Sequence, residues 1–111
     1  MRRFQINGVE LLLTPLRSYG EFSWYDIPLD QMPKRFGMVV CDGPPKKTTP
    51  GDRYGLLPIM RDRLGPGSVI LLDDAEIHNP DRVLSRWLQE VSASYESFPS
   101  RASSYAVVVL G

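Results

Sequence analysis

The sequence predicts an α/β fold, a mostly parallel sheet with helices on its faces, closed by an antiparallel hairpin at the C-terminal end. Three observations predict it. Two apolar runs, "FGMVVCD" and "SVILLDD", each end in acid, and they are apolar on both faces, as central strands covered on both sides are. Segments with helical spacing of apolar residues follow each run, and strands that alternate with helices pair in parallel through right-handed crossovers. Two last short runs, separated only by "PSRAS", have the length of an antiparallel hairpin.

The 111 residues make one domain, residues 1–111. Thirteen bases balance thirteen acids, so bulk charge gives no motive for nucleic acid or a membrane surface. No run approaches the roughly 20 apolar residues of a membrane span. The basic start "MRRF" is not followed by a signal-type apolar stretch, because "VELLLTPL" is interrupted at Glu10 and closes at Thr14-Pro15. A single cysteine excludes an internal disulfide and a cysteine-based metal cluster. The expectation is a cytoplasmic protein.

Each element has its own signal. Residues 9–13 read as a strand closed by Thr14-Pro15, and Asn7-Gly8 before it is a turn signal for a short hairpin from 4–6. Residues 22–26 read as a strand paired back on 9–16 through a turn at 18–21. The two prolines of 28–35 leave a loop. Residues 37–42 form the first acid-ended strand. Leu56, Leu57, Met60 and Leu64 recur at helical spacing within 49–64, with Pro58 as a kink or a first-turn residue. Gly65-Pro66-Gly67 stops that helix, and 68–72 forms the second buried strand. Asn79-Pro80 starts a helix, with Asn79 as cap and Pro80 at the first position. It runs to about Ala93, with Val83, Leu84, Trp87, Leu88 and Val91 on one face. Residues 94–98 and 105–110 are the closing strands.

In open α/β sheets ligands bind beyond the carboxyl ends of the parallel strands. Asp42, Asp73 and Asp74 fall at those ends, and Gly43-Pro44-Pro45 turns the backbone sharply beside them. Asp42, Asp73 and Asp74 could hold a divalent cation such as Mg²⁺, which favours carboxylates. The blander reading makes them caps of nearby amides and turns. Lys46, Lys47, Thr48 and Thr49 either meet an anionic group or form a solvated loop. His78 stands alone, as a general base or as a surface histidine. Trp24, Tyr25 and Tyr19 either wall a planar substrate or fill a hairpin core. Cys41, inside an apolar strand, reads as an inert buried thiol.

The series "FGMVVCDGPP", a helix ending "LGPG", "SVILLDDA", a helix containing "RWLQE" and a closing hairpin resembles the C-terminal half of class I S-adenosylmethionine-dependent methyltransferases. "VELLLTPL" with "WYDIP" resembles the strand and aromatic connection that precede it. The resemblance covers nearly the whole chain. It implies a Rossmann-like partial methyltransferase fold, S-adenosylmethionine as cofactor and a small-molecule acceptor. It also implies Asp42 as the catalytic group, with Asp42, Gly43 and Pro44 at the cofactor and Asp73, Asp74, Trp24 and Tyr25 at the substrate. The family's glycine-rich loop and its ribose-binding acid have no counterpart here. Gly65 and Gly67 end a helix before a strand, the reverse of the order that motif needs. The chain therefore reads as a fragment or a degenerate relative of the family.

Three functions compete. The first is a methyltransferase unit acting on a small molecule, weak or inactive as this isolated chain. The second is a non-catalytic module derived from such an enzyme, for binding or dimerisation. The third, metal-assisted hydrolysis by the three aspartates, ranks last, because no nucleophile or histidine cluster accompanies them. A homodimer is expected if residues 9–16 do not pair with the strand ending at Asp42, since an apolar edge invites another chain.

Overall fold

The computed structural model describes residues 1–73, 75, 82–99 and 104–111. The expected helix start at Asn79-Pro80, together with Asp74 and His78, lies outside them. The first two strands, β1 (Arg2–Ile6) and β2 (Val9–Leu13), form a hairpin. Its turn residues Asn7 and Gly8 have φ of 49° and 81°, the pair of left-handed residues that a two-residue type I′ turn demands. A second hairpin joins β3 (Leu16–Ser18) to β4 (Ser23–Tyr25). The strand expected over 22–26 thus exists, but its partner is Leu16–Ser18. Val9–Leu13 is already paired with β1, and Thr14-Pro15 breaks its continuation.

Four strands make the main sheet: β5 (Met38–Cys41), β6 (Val69–Asp73), β7 (Ala93–Pro99) and β8 (Ser104–Leu110), in the spatial order β5-β6-β8-β7. The two acid-ended strands are parallel neighbours, with Met38 opposite Val69 and Cys41 opposite Leu72. β8 lies antiparallel beside β6, and β7 antiparallel beside β8. Two α-helices are described, α1 (Leu56–Met60) and α2 (Arg82–Glu90). Their apolar residues Leu56, Leu57, Met60, Val83, Leu84 and Trp87 share one core with Ile70, Leu72, Ala106 and Val108. These strand residues alternate along β6 and β8, so both helices cover the same face of the sheet.

The expected Rossmann-like architecture, a mostly parallel sheet with helices on its faces, is therefore overturned. The described chain is mostly β, with one parallel pairing; the other ladders are antiparallel, and two hairpins stand outside the main sheet. The reason lies in β5 and in residues 49–55. Met38 and Val40 are 57% and 63% exposed, while Cys41 is buried. β5 is thus apolar on both faces but covered on one. Residues 49–55 carry the predicted helical spacing only in part. Thr49 to Gly51 turn instead, with φ of 76° at Gly51 and 55° at Asp52, so the helix starts late, with Pro58 in its first turn where no amide is needed. α1 continues into a single 3-10 turn over Arg61–Arg63.

Candidate functional site

An open cleft of about 340 Å³ lies at the carboxyl end of β5. Asp42 and Gly43 form its rim, Trp24 and Tyr25 come from β4, and Leu56 and Met60 come from α1. Two local features bring the β3–β4 hairpin here. Ser23 N donates to the Pro50 carbonyl at 2.9 Å. Gly51 and Gly55 admit Phe22 and Trp24 so closely that a Cβ on Gly55 would lie 3.1 Å from the Trp24 Cβ. Gly43 is equally constrained, since a Cβ there would stand 2.6 Å from the Tyr25 hydroxyl. The rings of Trp24 and Tyr25 meet edge-on, with centroids 5.3 Å apart.

Of the residues singled out in the sequence, Asp42, Gly43, Trp24 and Tyr25 come together. Trp24 is buried and serves mainly as core, whereas Tyr25 is half-buried and forms a wall. Pro44 is fully buried behind the rim. Asp73 ends β6 and does not line the cleft, and Asp74 is outside the described residues. Tyr19 stacks on Phe22 at the far end of the hairpin. Lys46 lies 4.0 Å from Asp52 Oδ2, and Lys47 and Thr48 are exposed, as in a solvated loop, but Thr49 is buried. Cys41 is buried beneath the cleft, where burial pushes its thiol up to about 11, so it stays protonated and unreactive at neutral pH.

Sequence reasoning missed Arg53. Its side chain is buried and ties the two strand ends together. Nη1 donates to the Asp73 carbonyl at 2.6 Å, Nε donates to the Pro44 carbonyl at 3.2 Å, and Nη2 lies 3.7 Å from Asp42 Oδ1. A buried guanidinium is costly unless its donors are used, and the fork geometry uses them on three groups at once. The available signal was an arginine flanked by Gly51 and Gly55 just before the apolar start of the helix. The same contact bears on the metal expectation. A guanidinium beside Asp42 repels a second cation, and no cluster of three or more candidate ligands occurs among the described residues. Among those residues no helix is long and apolar enough to cross a membrane.

Comparison with family models, curated proteins and solved structures finds no match to this chain.

Proposed function

We propose that this chain is the acceptor-side part of an S-adenosylmethionine-dependent methyltransferase acting on a small molecule, weak or inactive on its own. The observation that carries the reading is the convergence of Asp42, Gly43, Trp24 and Tyr25 on one cleft at the end of a parallel strand. The strand order β5-β6-β8-β7 supports it as well, because the resemblance requires the last strand to lie antiparallel beside the second acid-ended one.

The residues present fit only one side of such a cofactor. An exposed carboxylate, Asp42, stands on the rim, where it would orient an acceptor hydroxyl or amine and take its proton. Tyr25 and Trp24 would flatten a planar acceptor against the wall. The sequence has no glycine-rich loop and no ribose acid, which would make most of the polar contacts to the cofactor, and a half-walled cleft buries little of a ligand. No transfer step is therefore drawn through this chain alone.

Calorimetry with S-adenosylhomocysteine tests both halves of the reading. The isolated chain should bind weakly or not at all. Joined behind the glycine-rich half of a complete methyltransferase, it should bind the cofactor product and methylate small phenols or amines. Asp42→Asn in that fusion should slow transfer by roughly 100-fold or more, the usual worth of a positioned acid or base. A correctly folded fusion that binds no S-adenosylhomocysteine would sink the reading, and so would low-micromolar binding by the chain alone.

A further inference from the structure

The strongest feature beyond the candidate site is apolar surface that no described residue covers, continuous with the cleft at Val40. The β1–β2 register places Phe4, Ile6, Val9, Leu11 and Leu13 with Arg2 on one face of the hairpin, and Arg3, Gln5 and Glu10 with Leu12 on the other. The apolar side chains are between 38% and 64% exposed. A hairpin divided this way is built to lie on another layer, apolar side down. The bare face of the main sheet carries a second apolar surface. Strand register lines up Met38, Val69 and Val109, and next to them Val40, Leu71 and Val107.

We propose that two copies of this chain form a two-fold dimer in which each β1–β2 hairpin lies on the bare sheet face of its partner. Three observations favour a second copy. First, the two surfaces match in chemistry and in span, since both are mostly apolar and strands of five residues cross rows of three strands. Second, the hairpin and the strand connection after it are tied to the residues that follow β4. Asp26 N donates to the Pro15 carbonyl at 2.9 Å, and Arg3 Nη2 donates to Gln31 Oε1 at 3.0 Å. Third, the area is right. A compact monomer of 12.6 kDa would expose about 6200 Å² by the surface-to-mass relation, whereas this chain exposes 7350 Å². The surplus, about 1100 Å² per copy, exceeds the roughly 800 Å² per partner of a standard interface. Reciprocal exchange closes on itself, as isologous contacts do, and zero net charge puts no long-range repulsion in its way. This inference does not depend on the methyltransferase reading.

Sedimentation equilibrium of the full chain over a concentration series tests it, with circular dichroism to check folding. The wild type should have twice the chain mass. Leu11→Glu on the hairpin and Val40→Glu on the sheet alter side chains that are exposed in the single chain, so each should fold. Each should also weaken the dimer by roughly tenfold or more, because a carboxylate would be buried against apolar surface. Gln5→Glu, on the hairpin's polar face, should leave the dimer intact. A wild type that is monomeric throughout, whatever other chain it then binds, overturns the proposal. So does a dimer that tolerates Leu11→Glu or Val40→Glu, or one that Gln5→Glu disrupts equally.

Discussion

Arg53 and Cys41 are both buried at the same strand end, one with several polar partners and the other a thiol. Arg53 donates to two carbonyls and lies in an ion pair with the Asp42 carboxylate. The Cys41 thiol donates to the Gly43 carbonyl at 3.3 Å and stays neutral at neutral pH. The consequence for stability can be signed. In the folded chain the thiol titrates at about 11, against 9.0 for an exposed thiol. At lower pH both states hold the proton and the full contribution is present. As pH rises through that interval only the unfolded chain releases it, so stability falls. The loss reaches roughly 2–3 kcal/mol for a difference of about two units. Cys41→Ala removes this slope. Urea midpoints at about pH 8 and about pH 10.5 should therefore separate further in the wild type than in Cys41→Ala; equal separations would refute the assignment. At this scale the site was legible where chemistry follows from position. Asp42 and Gly43 could be read from the way an apolar run ends. Arg53 could not, because its role depends on two carbonyls that only the folded chain brings within reach.

The β3–β4 hairpin is the element that makes the cleft, and a glycine sets how closely it docks. Gly51 has φ of 76°, and a Cβ there would lie 2.5 Å from the Phe22 Cβ and 2.8 Å from its Cα. Gly20 also has a left-handed φ, 90°, but nothing lies within 4 Å of it. Gly51→Ala therefore meets both a backbone penalty and a collision with the backbone of β4's approach, whereas Gly20→Ala meets only the first. Chemical denaturation should show Gly20→Ala costing about 1 kcal/mol. Gly51→Ala should cost clearly more and displace Trp24, seen as a changed fluorescence spectrum. Equal costs would show that the close approach is not made. Elements with local signals were readable: the Asn7-Gly8 turn, the two acid-ended strands and the closing hairpin. The partner of β4 was not, because its choice turned on which neighbour Val9–Leu13 had already taken. The length of α1 was not either, because Thr49 to Asp52 gain their turns by packing under Phe22 and Ser23.

Among the described residues the order is uneven, because helices roof one face of the sheet and no described helix covers the other. An apolar run states how many faces a strand can bury and leaves open whether a cover exists, which is why β5 misled the fold-class expectation. The imbalance should be measurable as a gradient of hydrogen exchange, best read on Leu11→Glu, where association is removed. β6 and β8 have partners on both sides, and Ile70, Leu72, Ala106 and Val108 lie under the helices at 2% exposure or less. Their amides should open only with global unfolding and exchange last. β5 has one partner, so amides facing its open edge should exchange sooner, while those bonded to β6 should approach the rate of the centre. The β1–β2 ladder is fully paired, yet it buries almost no side chain. An isolated two-stranded hairpin is marginal in water, so its amides should exchange first despite their hydrogen bonds. In the wild type at high concentration those same amides should slow sharply while β6 and β8 hardly change, because the cover is supplied exactly where the single chain lacks it. Hairpin amides as slow as those of β6 in Leu11→Glu would mean that the arm is stabilised from within its own chain, and the account of an unroofed sheet would fall.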